Sequence, residues 1–220
     1  MPSPVAAVVL AAGAGTRLGL GNKALLPFCG RPLIETIIAQ LHDGGCTRLT
    51  VVLGFEAEQV LAKIRLGPAA AVTNPDWESG MGSSFRCGVQ AAAADCPEVP
   101  ILVALADQPG LTAAAVAGLI AQHRPGRITA AGYRVAGSAP GADSLRRAHP
   151  VLFDAALALE AARGAEGDAG ARAFLSANPG RVDVVDCSDL GDGRDVDAPA
   201  DLPLLEAAPD PLWQLRFRNR

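Results

Sequence analysis

Leu10-Ala11-Ala12-Gly13-Ala14-Gly15-Thr16-Arg17-Leu18-Gly19 follows directly on Val5-Ala6-Ala7-Val8-Val9. An apolar run without alternation suits a parallel strand whose sheet is covered by helices on both faces. Glycines placed where such a strand ends let backbone N–H groups approach phosphate oxygens, at the carboxyl edge where open α/β sheets bind ligands. Spacing excludes two common phosphate loops. The dinucleotide fingerprint G-x-G-x-x-G would need glycine where Leu18 stands, a helix at once, and an acid about 20 residues on. Here the next helix opens near Pro32, a good first-turn residue. A P-loop needs Gly-Lys before Ser or Thr, and the chain has no Gly-Lys pair. Two readings remain: a tight turn with incidental glycines, or a long loop that carries Arg17 and Lys23 to where a triphosphate would lie.

Working outward, strand and helix alternate through residue 123. Leu49 to Leu53 reads as a strand, Glu56 to Ile64 as a helix, and Ala69 to Thr73 as a short strand. Ser84 to Ala94 follows as a helix, Ile101 to Leu105 as a buried strand, and Thr112 caps a helix ending near His123. This is the pattern of βαβ units, so the fold expected is α/β: a three-layer, mostly parallel Rossmann-like sheet with helices on both faces. Beyond 123 the spacing loosens. Ile128 to Val135 reads as a strand, Gly137 to Asp143 as a loop, and Pro150 to Phe153 as a short strand entering a helix over Ala155 to Ala162. A helix over about Ala169 to Ala177 starts at Asp168, Val182 to Val185 is a last strand, and Pro199 to Glu206 closes the chain as a helix. The expected organisation is a single domain over 1–208, regular in its alternation to about 123 and looser over 124–208. A tail over 209–220 carries Trp213, Phe217, Arg216, Arg218 and Arg220.

At 220 residues the chain can bury a full core, and roughly 150 residues per domain gives one domain. A net charge of -4 supplies no basic field for a nucleic-acid backbone, and 4% aromatics argue against a stacking platform for single strands. The five cysteines are odd in number, widely spaced and without C-x-x-C, which points to a reducing compartment. His42, His123 and His149 show no zinc-ligand spacing. Val5 to Ala12 resembles a secretory h-region, but no Lys or Arg precedes it and it runs straight into the glycine loop. With no run of about 18 apolar residues, no membrane partner is expected, and the location expected is cytoplasmic.

Asp107 ends the apolar strand Ile101 to Leu105, so its carboxylate emerges at the sheet edge that carries the glycine loop. Magnesium favours one or two carboxylates plus substrate phosphates, which makes it a fitting partner; the alternative is an Asp-Gln-Pro turn closed on its own backbone. In Asp195-Val196-Asp197 the extended alternation puts both carboxylates on one side. Either one completes a metal site with Asp107, Asp197 being the first choice, while Asp201 reads as a first-turn acid favouring the helix dipole. Asn74-Pro75 reads as a turn, with a serine cap to the helix after Gly80-Met81-Gly82-Ser83-Ser84. Small residues at such a helix start leave N–H donors and room for a ligand.

The run Leu10-Ala11-Ala12-Gly13-x-Gly15-x-Arg17-x-Gly19, with Lys23 and Leu25-Leu26-Pro27, resembles the signature of the MobA-like nucleotidyltransferases, within them most closely the molybdenum cofactor cytidylyltransferases. The resemblance spans about residues 5–206 and implies the nucleotide-diphospho-sugar transferase type of sheet, with a nucleotide-binding part over about 1–123 and an acceptor-binding part over about 124–208. It implies that Leu10, Ala11, Ala12, Gly13, Gly15 and Thr16 wrap the NTP, that Arg17 and Lys23 neutralise its phosphates, and that Asp107 holds Mg²⁺ or Mn²⁺. Asn74-Pro75-x-Trp77-x-x-Gly80-Met81-x-x-Ser84 is similar to the family's segment against the base, which brings in Asn74, Gly80, Ser83 and Ser84. Asp195-Val196-Asp197-Ala198-Pro199 resembles the family's D-I-D-T-P ending, with Ala for Thr. His149-Pro150-Val151-Leu152-Phe153 and Gly167-Asp168-Ala169-Gly170-Ala171-Arg172 resemble the segments bordering the acceptor, so His149, Pro150, Asp168 and Arg172 are its expected contacts. Asp168 equally suits an ordinary helix N-cap, whereas Arg172 offers the fork that an anionic pterin phosphate takes. Ala148 stands where the family usually has glycine.

The activity implied is transfer of CMP, less readily GMP, from an NTP to a phosphorylated acceptor of molybdopterin type, with release of pyrophosphate. The Ala-Ala-Gly start of the loop resembles the cytidine-using branch. A molybdenum-enzyme apoprotein is a further implied partner. The rival readings are an NAD(P)H-dependent oxidoreductase on the same fold, a non-transferring nucleotide-binding accessory protein, and transfer to another phosphorylated small molecule. No flavin or nicotinamide fingerprint is present.

Overall fold

The computed structural model describes residues 4–135 and 145–206. The loop expected over Gly137 to Asp143 and the tail over 209–220 lie outside the described residues. The first strand, β1 (Ala6–Ala11), is buried along its whole length. After it come a hairpin of β2 (Pro27–Phe28) and β3 (Arg31–Pro32), then α1 (Leu33–Asp43), β4 (Arg48–Leu53), α2 (Ala57–Lys63) and β5 (Ala69–Thr73). The chain continues through α3 (Met81–Asp95), β6 (Ile101–Leu105), α4 (Ala113–Gln122), β7 (Ile128–Arg134), β8 (Leu145–Phe153), α5 (Ala155–Arg163), α6 (Arg172–Ala177) and β9 (Val182–Asp186).

Seven strands form one sheet in the order β5-β4-β1-β6-β8-β7-β9. β5, β4, β1 and β6 are mutually parallel, β8 runs antiparallel to β6 and β7, and β9 is parallel to β7. The alternation of β1 divides the core between the two faces. Ala7, Val9 and Ala11 pack with residues of α1, α2 and α4, such as Ile37, Val60 and Val116. Ala6, Val8 and Leu10 pack with Phe85 and Val89 of α3, Leu157 and Ala158 of α5 and Leu175 of α6. This is the expected three-layer, mostly parallel α/β sheet. Gly88 sets the depth of α3, since a Cβ there would lie 2.4 Å from Val8 Cγ1.

The largest departure from expectation is β8. It begins five residues before Pro150, and its first half pairs with β7 beyond the end of β6. Ala130 pairs with Val151 but Ala131 with Ala148, so His149 and Pro150 form a bulge on β8. Proline has no N–H to give a ladder and is at home in a bulge. The overhanging half of β8 stands over the carboxyl edge of the parallel strands. A second departure follows Asp168, which does not cap a helix: Gly167–Ala169 is one 3-10 turn, and α6 begins only at Arg172 behind Ala171. The closing helix is likewise 3-10, over Pro199–Leu205. Thr112 does cap α4, accepting from the N–H of Ala115.

Candidate functional site

One cavity of about 980 Å³ opens at the carboxyl ends of β1 and β6. Gly15 shapes its phosphate-loop wall. It takes φ +63°, and a Cβ there would meet Gly21 O at 2.8 Å and Lys23 Cγ at 2.9 Å. Left-handed backbone of this kind favours glycine. The loop returns through buried Asn22, whose carbonyl oxygen accepts from Ala24 N and whose amide donates to Phe55 O. Those bonds fix the 3-10 turn that starts at Lys23.

From there the Lys23 ammonium reaches across the cavity floor. It donates to Asp107 Oδ2 at 3.1 Å and to Asp197 Oδ1. Backbone bonds hold the two acids together: Val196 N donates to Asp107 O at 2.9 Å, and Asp201 Oδ2 accepts from Asp197 N and Ala198 N. Val196 is fully buried in the core, so the alternation turns Asp195 and Asp197 to the cavity side. Asp195 accepts from Gln108 Nε2 at 2.7 Å.

The electrostatics are those of a partly buried, charge-rich floor. Burial is the largest influence on Lys23 and acts to lower it, but Asp197 and Asp107 outweigh burial and hold the ammonium above its ordinary value. For Asp107 the balance goes the other way: burial first, with the Asp197 charge, raises its carboxyl above the ordinary value despite Lys23. Asp195 is pushed up to about 6, by burial first and then by the Asp107 charge. The floor therefore holds more negative charge than one lysine offsets.

No metal is needed to hold this floor together, yet its chemistry fits one. Asp107 Oδ1 is buried without a hydrogen-bond partner among the described residues. A hard divalent cation takes such oxygen donors. Among the described residues no group of three or more His, Cys, Asp or Glu side chains forms a cage. A cation here would keep water or substrate oxygens in its remaining positions, as Mg²⁺ commonly does.

Most of the residues singled out from sequence line this cavity: Leu10, Ala11, Ala12, Gly13, Gly15, Thr16, Arg17, Lys23, Gly80, Ser84, Asp107, His149, Asp168, Arg172, Asp195 and Asp197. Asn74, Ser83 and Pro150 do not. Asn74 and Ser83 are buried and spend their side chains on each other and on the turn. The Asn74 amide donates to Ser83 and Ser84 Oγ, and Ser83 Oγ donates to Asp76 O and Gly80 O. They shape the start of α3 from behind the cavity lining, and the cap of α3 is Gly80, not a serine. Gly80 itself is required by packing, since at φ +109° its Cβ would strike the carbonyl carbon of Gly167 at 2.4 Å. Lys23 is also placed differently from expectation: it pairs with the carboxylates expected to hold a cation. Sequence reading missed Gln108, Arg146 and Arg147 as site residues; they line the cavity, as does Trp77 of the segment read against the base. The signal for the arginines was the strand they stand on, read as starting at Pro150.

A MobA-like NTP transferase domain model matches residues 7–182. The chain belongs to the MobA-like NTP transferase family. Among relatives in this MobA-like group, the nicotine blue oxidoreductase of Paenarthrobacter nicotinovorans is 49% identical over 193 residues, covering 88% of this chain and 92% of that protein. A nucleotidyl transferase of Methanothermobacter thermautotroptrophicus superposes with TM-score 0.74 at 22% identity, covering 97% and 98% of the two chains. Rv0371c of Mycobacterium tuberculosis H37Rv superposes with TM-score 0.71 at 27% identity, covering 94% of this chain and 100% of that one. It is also known as a manganese complex, with TM-score 0.65. The MobA-like sheet of this chain is thus the Rossmann-like sheet of the nucleotide-diphospho-sugar transferases. Among the described residues no helix is long and apolar enough to cross a membrane.

Proposed function

We propose that the chain transfers a nucleotidyl group from an NTP, CTP in preference to GTP, to a phosphorylated acceptor of molybdopterin type. The observation that carries this reading is the meeting of Lys23, from the glycine loop, with Asp107 and Asp197 on one cavity floor. The backbone of Leu10 to Thr16 cradles the phosphates, and Arg17, exposed at the loop, meets their charge. Asp107 and Asp197 hold Mg²⁺ or Mn²⁺, with Asp195 at their side; when bound, such a cation neutralises charge on the phosphates. An ionised oxygen of the acceptor phosphate attacks the α-phosphorus. A new P–O bond forms as the bond to the β-phosphate bridge breaks, and pyrophosphate leaves with that electron pair. No protein nucleophile takes part, so the residues act by positioning and by stabilising charge. Residues up to about 123 handle the nucleotide, and those over 124–208 the acceptor, through His149, Asp168 and Arg172. A soluble cytoplasmic enzyme, with a molybdenum-enzyme apoprotein receiving the product, fits this chemistry.

The test is product analysis with a panel of NTPs and phosphorylated acceptors, following pyrophosphate release. Release that needs both a divalent cation and an acceptor supports the reading. The absence of release with every pair sinks it.

A second reading, an NAD(P)H-dependent oxidoreductase, is favoured by one observation, the 49% identity to nicotine blue oxidoreductase over most of both chains. Under it the same cavity takes a pyridine nucleotide and a planar electron acceptor. Oxidation of NADPH in the presence of a two-electron dye, without a metal requirement, would establish it.

A further inference from the structure

A strap over residues 187–197 carries Asp195 and Asp197 from the end of β9 to the cavity floor. Cys187 N donates to Gly132 O at 2.9 Å as the strap leaves the sheet, Thr112 Oγ1 donates to Leu190 O, and Asp192 N donates to Gly110 O at 3.1 Å. Three glycines mark its closest approaches. A Cβ on Gly110 would lie 2.5 Å from Asp192 O, one on Gly191 2.7 Å from Gly110 O, and one on Gly193 2.3 Å from Cε2 of Tyr133. None of the three takes left-handed backbone, so close packing and not conformation calls for glycine there.

Gly193 stands two residues before Asp195, and both line the cavity. Its seat is made by the antiparallel pair β7 and β8. Tyr133 of β7 is opposite Arg146 of β8, so the two side chains share a face of the sheet. The buried Tyr133 ring packs against Gly193, and Arg146 Nη2 donates to Gly193 O at 3.3 Å. The Tyr133 hydroxyl is buried without a hydrogen-bond partner among the described residues, so the contact is made by the ring. The charge of Arg146 also reaches Asp195. A strap gripped at Gly193 and again at Val196, whose N–H is bonded to Asp107 O, has little freedom between the two grips, where Asp195 stands.

We propose that Tyr133 and Arg146 are positioning residues for the acidic floor: they seat Gly193 and thereby set where the carboxylates of Asp195 and Asp197 stand. Groups that bind a cation work only when held to within about 0.5 Å, and the residues that hold them govern about ten- to hundredfold in metal affinity. A methyl on Gly193 would have to shift the strap by about 1 Å to reach ordinary contact with the ring. The inference rests on the proposed function only in taking the floor as a cation site; the seat itself follows from the packing.

The experiment measures Mn²⁺ affinity of the full chain without nucleotide, by the free-Mn²⁺ electron paramagnetic signal, and hydrogen exchange at the Val196 and Asp197 amides against that at Val8 in β1. Gly193→Ala should weaken Mn²⁺ about tenfold and speed exchange at Val196 and Asp197, relative to Val8, by about tenfold. G193A/Y133A, which takes away the ring that the methyl meets, should recover most of both. Gly164→Ala puts a methyl where nothing lies within 4 Å and should change neither. Arg146→Met separates two effects of opposite sign: a charge removed from beside the floor tightens Mn²⁺, whereas a lost grip on Gly193 weakens it. Weakening of about two- to fivefold is expected, the scale of one hydrogen bond, and Arg146→Lys should recover it. Circular dichroism checks that each variant is folded; where the double variant fails to fold, the Arg146 pair decides. Unchanged or tighter Mn²⁺ in Arg146→Met removes Arg146 from the seat. Wild-type affinity and exchange in Gly193→Ala, or no recovery in a folded double variant, overturns the seat. Absence of Mn²⁺ binding by wild type, with exchange behaving as expected, sinks the cation reading and not the seat.

Discussion

The ammonium of Lys23 lies 3.1 Å from Asp107 Oδ2, bridging the glycine loop to the end of β6, and it pairs with Asp197 as well. A divalent cation on those carboxylates and the lysine compete for the same oxygens. Lys23→Met should therefore bind Mn²⁺ more tightly than wild type in the absence of nucleotide, by about tenfold, as read by the free-Mn²⁺ electron paramagnetic signal. The same variant without metal should be destabilised by about 2 kcal/mol, because Asp107 is left buried and uncompensated. Added metal should restore that loss. Unchanged Mn²⁺ affinity would show that lysine and cation do not share the site.

Asp107→Asn keeps the shape of the side chain and removes its charge. Pyrophosphate release should fall by about 10³-fold, the scale of a lost charge-stabilising group, while the chain remains folded. The Lys23 pairing weakens in this variant, so the melting temperature is measured alongside turnover. Wild-type turnover would remove Asp107 from the reaction.

Much of this floor was legible because its residues sit at strand ends in runs with a clear period. β1 and β6 are apolar throughout, so an acid following β6 at Asp107 stood out, and the Asp195/Asp197 alternation held because Val196 is buried between them. Arg146 and Arg147, which also line the cavity, were not legible in the same way. They lie before the bulge at His149 and Pro150, in a run Leu145-Arg146-Arg147-Ala148 that shows no apolar alternation, so nothing in it signals a strand. Asn74 and Ser83 were legible as a pair of polar residues, but not as a pair that satisfies itself; only the fold shows that their hydrogen bonds close inward. Asp168 fitted an N-cap by type and position, yet Gly170 at φ +50° interposes a turn before α6.

Gly15→Ala tests the shape of the loop apart from its charges. The methyl would have to sit 2.8 Å from Gly21 O in left-handed backbone, at a local cost of about 1–2 kcal/mol. Because the loop is largely exposed, the expected result is a KM for NTP raised several-fold with a melting temperature within a few degrees of wild type. A large loss of stability with normal KM would make the glycine a packing residue only.

His149 gives a pH dependence whose sign is fixed by the structure. Burial, then the nearby Arg172 charge, pushes its imidazole from 6.5 down to about 4. As pH falls through 6.5 the unfolded chain takes up a proton that the folded chain refuses until near pH 4. The unfolded state then binds more protons, so this group's contribution is full above about pH 6.5 and declines steadily toward pH 4. The side chain is only partly buried, so solvent reduces the effect to about 1–2 kcal/mol. In denaturant unfolding at stepped pH, the stability difference between wild type and His149→Gln should shrink, or reverse, by that amount between pH 7 and pH 4. Parallel curves for the two proteins would mean that His149 titrates normally and stands open to water. In that case the neutral ring beside Arg172 would be lost from the site.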